Sequence, residues 1–184
     1  PAGEAGEGDV KTALGPKPVE AKYQVPFLHH AMMEPFALTA HFKDGKLDIW
    51  GGMQDPLATK MMAVDVSGLD SDKVTFHPML IGGSFGRRLP MYMEIVSQVA
   101  KLAMQLPYPV KLIWSREEEI AQGAYRPQSA AVLKANVTAN KRIAAYSNDY
   151  AQTESAESET TFIYNLPAVA RRNYEHSSNQ ITGA

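Results

Sequence analysis

The sequence predicts an α+β fold, a mixed and largely antiparallel sheet with packed helices, on three observations. Two alternating runs flank Asp44-Gly45 in ALTAHFKDGKLDIW. Apolar residues recur at spacings of three and four from Tyr92 to Leu106. Two weaker alternating runs, 128–138 and 142–152, flank Ala139-Asn140. Antiparallel neighbours interrupted by helices argue against a doubly wound parallel sheet.

Each element follows from local chemistry. Residues 1–21 are rich in Gly, Ala, Pro and Glu without apolar periodicity, and read as a flexible N-terminal arm with one helical turn available at 9–14. The opening lacks the basic-then-apolar layout of a signal peptide and looks like a mature or excised N-terminus. Order is expected from residue 22 to 184. In the stretch 21–28, Tyr23, Val25 and Phe27 alternate as in a half-buried strand, with Pro26 at an edge or strand end. Asp44-Gly45 suits the two positive-φ positions of a tight hairpin, placing Leu38, Ala40 and Phe42 on one face and Leu47 and Ile49 on another paired with it. Gly51-Gly52 breaks the ladder. Asp55 then caps a helix with Pro56 in its first turn, running to about Val66. Residues 73–80 read as a strand, 81–88 as a glycine-rich loop, and 92–106 as a core-packed helix ended by Pro107 and Pro109. A strand–loop–helix–strand crossover is available over 73–114. Val110–Ile113 and Trp114 form a short apolar strand, and Ser115 with Glu118 matches a capping box for a helix over 115–122. The polar text of 153–161 reads as a surface loop, and 161–184 shows no sustained period.

Composition excludes several function classes. The chain has 184 residues, 18 basic and 20 acidic, for a formal charge of −2, and is 45% hydrophobic. That is a globular composition, with no electrostatic reason to bind nucleic acid or an anionic membrane. No apolar run approaches the roughly 18–20 residues of a spanning helix. There is no cysteine, so this chain can hold no disulfide, thiolate zinc site or iron–sulfur cluster. Either redox environment, cytoplasm or periplasm, is compatible with that.

The most informative segment is Gly82-Gly83-Ser84-Phe85-Gly86-Arg87-Arg88. Three glycines in five residues between strand and helix let the backbone approach something bulky, with N–H groups at the helix N-terminus. Two arginines beside those donors suit an anion. The segment is neither a Walker loop nor a dinucleotide fingerprint. A tight turn with solvated arginines is the plain alternative, and a stand-alone phosphate-binding module using Arg87 and Arg88 is the functional one. Gln54, between a strand end and a helix cap, can project a neutral amide toward an oxo or carbonyl oxygen, or be a surface glutamine. His29 and His30 face opposite sides of an extended chain, and His41 and His77 are isolated, so no metal ligand set is expected. Glu117, Glu118 and Glu119 suit the first turn of a helix. The methionine pairs Met32-Met33 and Met61-Met62 read as core filler.

In order along the chain, Tyr23-Gln24-Val25-Pro26-Phe27-Leu28-His29-His30-Ala31-Met32-Met33-Glu34-Pro35, the hairpin through Trp50 with Gln54, the loop from Ile81 to Arg88, Pro109 through Glu117, and Tyr125-Arg126-Pro127 resemble the molybdopterin-binding large subunits of molybdenum hydroxylases. That is the xanthine oxidase and aldehyde oxidase group, and the resemblance is nearest the isoquinoline 1-oxidoreductase beta-subunit type of bacteria. It implies part of a molybdenum-cofactor-binding domain, a fragment inactive alone, with the family's catalytic glutamate outside it. No catalytic residue is therefore expected in this chain. By the same resemblance Gln54 matches a glutamine that donates to an oxygen of the molybdenum centre. Gly82, Gly83, Ser84, Phe85 and Gly86 match the loop that approaches that centre. Phe85, Arg87 and Arg88 fall where a substrate pocket or anion contact is expected. The implied activity is hydroxylation of an aldehyde or N-heteroaromatic small molecule using water. The implied cofactor is molybdopterin in its cytosine dinucleotide form with molybdenum, bound by the intact subunit rather than the fragment. The implied partners are the remainder of the large subunit and a small iron–sulfur subunit. Two departures stand out. Arg88-Leu89 occupies the neighbourhood where purine-oxidising members carry a glutamate, and Ser84 stands where glycine is common.

Overall fold

The computed structural model describes residues 3–90, 94–153 and 164–176. The chain divides into two compact units, Pro1–Leu28 with Pro127–Thr182, and His29–Arg126. No helix among the described residues is long and apolar enough to cross a membrane.

The first unit is a five-stranded sheet. Strands β1 (Gly3–Glu7), β2 (Val19–Val25), β7 (Ser129–Val137), β8 (Ile143–Thr153) and β9 (Val169–His176) lie in the order β1-β9-β8-β7-β2. All pairs are antiparallel except β8 with β9. The expected pair around Ala139-Asn140 is β7–β8. The segment read as a flexible arm contains both β1 and the short helix α1 (Val10–Leu14), capped by Asp9, whose Oδ1 accepts from Thr12 N at 3.1 Å. Its order comes from a distant partner: β1 pairs with β9, Gly3 opposite Asn173 through Glu7 opposite Val169. Strand β9 itself escapes sequence reading because charged side chains fall on both of its faces. One of them, Arg172, pairs with Asp149 on β8 (Nε–Oδ1 2.6 Å, Nη2–Oδ2 3.2 Å). Tyr23 and Val25 do not take the inward positions expected of them; both are exposed within this unit. The surface loop expected at 153–161 lies, beyond Thr153, outside the described residues.

The second unit carries a four-stranded sheet of β3 (Ala37–Lys43), β4 (Lys46–Gly51), β5 (Val74–Pro78) and β6 (Val110–Ile113), in the order β5-β4-β3-β6. Asp44 and Gly45 hold φ of 50° and 76° and close the β3–β4 hairpin as a two-residue primed turn. Leu38, Ala40, Leu47 and Ile49 are buried on its inner face. Against them pack Ala63 from α2 (Pro56–Ser67) and Ile95, Val96, Val99, Ala100 and Ala103 from α3 (Ile95–Ala103). Asp55 caps α2 through Ala58 N at 2.9 Å, and Gly68 ends it in the left-handed region. The parallel step between adjacent strands falls at β4–α2–β5, whereas the chain over 73–114 travels from one sheet edge to the other. Helix α3 ends at Ala103, short of the expected Leu106; Leu102 lies off its buried face, and Tyr92 lies outside the described residues. Trp114 anchors the end of β6 twice, through Nε1 to Gln98 Oε1 at 2.9 Å and edge-on to Phe36 at 5.6 Å. The short helix α4 (Arg116–Ala121) follows, with Ser115 Oγ accepting from Glu118 N at 3.1 Å. Of each methionine pair one member faces in: Met32 is buried and Met62 packs on the core, whereas Met33 and Met61 are exposed.

The hairpin turn yields a direct test. A Cβ at Gly45 meets nothing within 4 Å, so Gly45→Ala carries only the backbone penalty of a side chain at positive φ. A loss of about 1 kcal/mol is expected in urea unfolding. Gly45→Asn should be nearly neutral, because asparagine tolerates that region.

Candidate functional site

The glycine-rich loop leaves β5 over the end of β4. Met79 N donates to Gly51 O at 2.9 Å, extending the ladder by one step. A Cβ on Gly52 would stand 2.9 Å from Leu80 O and 3.2 Å from Ile81 Cα. The second glycine of that pair therefore admits a crossing chain as well as ending a strand. The crossing brings Gln54 beside residues 84–88. Gln54 N donates to Arg88 O at 3.2 Å, and Arg88 N donates back to Gln54 Oε1 at 3.1 Å. Ser84 Oγ donates to the same Oε1. The glutamine and the loop, 30 residues apart in sequence at their Ser84 contact, form one cluster.

Other loop residues are placed by different means. Gly82 pairs both ways with Glu34: its N–H donates to Oε2 at 2.7 Å, and its carbonyl accepts from Glu34 N at 3.1 Å. A Cβ there would lie 2.5 Å from Glu34 Cβ. Gly83, Phe85 and Gly86 hold φ of 99°, 56° and 97°. For Phe85 that conformation costs about 1–2 kcal/mol, yet the residue is 62% exposed. An aromatic held in a strained conformation and left in solvent marks a functional position better than a packing one. Its carbonyl accepts from Arg126 Nη2 at 3.1 Å. Among the described residues, the N–H groups of Gly83, Ser84, Phe85 and Gly86 donate to no protein acceptor. These donors do not belong to a helix terminus, since α3 begins only at Ile95.

The two arginines sit differently from the solvated or anion-contacting pair expected. Both are 0% exposed, and each guanidinium lies 5.0 Å from the Phe36 ring centroid. Arg88 donates from Nε to Gly83 O (3.0 Å), from Nη1 to Gly52 O (3.0 Å), and from Nη2 to Glu34 O (2.7 Å) and Pro35 O (3.4 Å). Its Nη2 also lies 3.1 Å from Glu34 Oε2. Buried guanidinium groups do not reach a phosphate arriving from solvent, and the phosphate-module reading loses the support of its arginines. Burial pulls both arginines below their ordinary pKa. Glu119 opposes this at Arg87, as do Glu34 and then Glu119 at Arg88. Glu119 is itself fully buried, which sets it apart from the helix-capping role expected of it. Its Oε2 accepts from Arg116 Nη1 at 2.6 Å, and Arg116 Nη2 reaches the carbonyls of Met32 and Met33.

Sequence reasoning missed Glu34, Phe36 and Arg126 as parts of this cluster. Only the i,i+3 pair of Arg116 and Glu119 had a local spacing that could have flagged it. His29 is held structurally: Nδ1 accepts from Ala31 N at 3.0 Å, leaving Nε2–H for Glu119 O at 3.3 Å. Among the described residues, no group of three or more His, Asp or Glu side chains is placed to hold a metal ion.

Removing the Arg88 fork takes a donor from four carbonyls and leaves the Glu34 carboxylate to the Gly82 N–H and solvent. Arg88→Met should lower stability by about 3–5 kcal/mol, read as a fall in the urea midpoint. Arg88→Lys should recover only part of it, because an ammonium cannot reproduce the planar fork.

A sequence profile described as the molybdopterin cofactor-binding domain matches residues 2–181. The isoquinoline 1-oxidoreductase subunit beta of Brevundimonas diminuta is 33% identical over 115 residues, covering 62% of this chain and 14% of that protein. A xanthine dehydrogenase of Emericella nidulans is 26% identical over 107 residues, 58% of this chain and 8% of that protein. The quinoline 2-oxidoreductase of Pseudomonas putida 86 superposes with a TM-score of 0.79 at 16% identity, covering 99% of this chain and 26% of its own, a likeness of fold. This chain thus spans a small part of the length of each of these proteins. With nearly every residue inside the profile, and its glutamine, glycine loop and arginines gathered into one cluster, the chain belongs to the molybdopterin cofactor-binding domain family.

Proposed function

We propose that this chain forms one wall of the molybdenum-cofactor site in a molybdenum-dependent oxidoreductase. The observation that carries the proposal is the Gln54 amide: exposed, with its oxygen held by the Arg88 N–H and the Ser84 hydroxyl. That leaves the two amide N–H groups without a protein acceptor among the described residues, beside the four loop amides of residues 83–86. Such a donor set fits an oxygen-rich, anionic group better than a cation. Fixed dipoles of this kind stabilise charge without reorganising.

In this reading Gln54, Gly83, Ser84, Phe85 and Gly86 would face the cofactor. Gly82 contributes by lacking a Cβ where Glu34 passes. The exposed Phe85 ring would border the substrate space, and Arg87 and Arg88 would hold the loop from beneath. When bound, a molybdopterin cofactor supplies the redox chemistry by which a carbon atom is hydroxylated with oxygen from water. The protein's share is to orient it, donate hydrogen bonds and shape the pocket.

The substrate we propose is an aldehyde or a neutral N-heteroaromatic. The absence of a carboxylate at Arg88-Leu89 supports it, as do the substrates named in the isoquinoline and quinoline oxidoreductases above. The intact subunit would carry the cytosine dinucleotide form of the cofactor and pass electrons to iron–sulfur clusters on a small partner subunit. The 184-residue chain would then be inactive alone.

The test is to purify the complete gene product with its partner subunits and measure molybdenum by mass spectrometry and pterin by fluorescence. Near-stoichiometric content is expected, with kcat of Gln54→Ala lowered about 10²–10³-fold, the usual effect of deleting one preorganised donor. Wild-type protein containing neither molybdenum nor pterin would falsify the proposal.

A further inference from the structure

We infer that Ser84 is a positioning residue that fixes which end of the Gln54 amide faces the cofactor; this rests on the function proposed above. A glutamine amide carries an acceptor at one end and two donors at the other, in nearly the same shape. Rotation by half a turn would present oxygen where N–H is needed, placing like charge against an oxygen-bearing ligand. Something must therefore choose the rotamer.

The choice is made by two donors converging on one atom. The Arg88 main-chain N–H can only donate, and it lies 3.1 Å from both Gln54 Oε1 and Ser84 Oγ. Because Oγ accepts from that N–H, the serine proton is left to be donated to Oε1, the contact the structure shows. The chain of hydrogen bonds thus has one direction, from Arg88 N–H through Ser84 O–H to Gln54 Oε1. The reversed amide would set N–H against the Arg88 N–H and forfeit the serine donation. The framework behind the pair is rigid. Gln54 N is bonded to Arg88 O at 3.2 Å, Arg87 N to Ser84 O at 3.0 Å, and the Arg88 side chain to Gly83 O at 3.0 Å. A glycine at position 84 would leave the amide with a single, shared main-chain donor. The serine thus adds to the amide a constraint that a glycine there would not give.

The test uses the complete, cofactor-loaded protein in five forms: wild type, Ser84→Ala, Ser84→Thr, Gln54→Ala and the Ser84→Ala/Gln54→Ala double variant. Readouts are kcat and KM separately, the fraction of molybdenum retained after timed dialysis, and the urea midpoint as a check of folding. Losing one hydrogen bond to the amide predicts that Ser84→Ala lowers kcat about three- to tenfold and speeds molybdenum loss by a similar factor, with KM little changed. Ser84→Thr, which keeps the hydroxyl, should restore both. In the Gln54→Ala background Ser84→Ala should do nothing further, since no amide remains to orient. Three results would overturn the inference: an alanine variant that behaves as wild type, an equal loss in both backgrounds, or a threonine variant no better than alanine. If wild type holds molybdenum and any of these is found, the positioning role alone is lost. If wild type holds none, the cofactor reading fails and takes the positioning role with it.

Discussion

The site depends on one buried cation. Where β4, β5 and the segment 34–36 run out, their carbonyls lack the ladder partners that a strand interior provides. Arg88 gathers three such places, Gly52, Glu34-Pro35 and Gly83, onto one planar fork. Five donors in fixed directions allow this; an ammonium group would satisfy at most three and impose no plane. Burying the charge is unfavourable in itself. It is offset by the Glu34 carboxylate at 3.1 Å, by the face of Phe36 at 5.0 Å, and by the field of Glu119. The loop is thus tied to the core through its own C-terminal arginine, with its opposite edge left open.

Around that anchor the glycines solve separate problems. Gly52 lets the chain at Leu80-Ile81 cross the end of β4, and Gly82 lets Glu34 pass within contact of the backbone. Gly83 and Gly86 supply positive φ. Phe85, between them, takes the same conformation without a glycine's freedom and is held there partly by the hydrogen bond from Arg126 to its carbonyl. One composition signal, three glycines in five residues, therefore conceals one steric and two torsional requirements.

This explains what could be read in advance. The hairpin at Asp44-Gly45, the Asp55 and Ser115 caps, and the β7–β8 pair were legible because turn and cap chemistry is local. The proximity of Gln54 to the loop was suggested only by family resemblance, since residues 54 and 84 share no spacing rule. The inward turn of Arg87 and Arg88 was not legible at all. Charged side chains are presumed solvated until distant acceptors are known, and those of Arg88 come from positions 34, 35, 52 and 83. Strand β1 was missed for the same reason in backbone form: GEAGE has no apolar period, and its partner lies more than 160 residues away, on a strand with charges on both faces.

Two arginines, the buried Arg88 and the exposed Arg126, also act on the loop through the peptide groups they bind. Arg88 Nε donates to the carbonyl of Gly83, and that carbonyl shares its peptide group with the Ser84 N–H. Arg126 Nη2 donates to the carbonyl of Phe85, which shares its peptide group with the Gly86 N–H. A carbonyl that accepts from a cation polarises its amide and makes the attached N–H a stronger donor. Two of the four loop amides without a protein acceptor are therefore reinforced by cations, Arg88 in the interior and Arg126 at the surface. In the proposed site these amides would be neutral donors that carry positive potential from the arginines bound to their peptide groups. A free lysine or arginine side chain in place of these amides would offer more attraction, but it would be screened by salt and free to move. Peptide dipoles fixed in a strained loop keep their direction whatever approaches them.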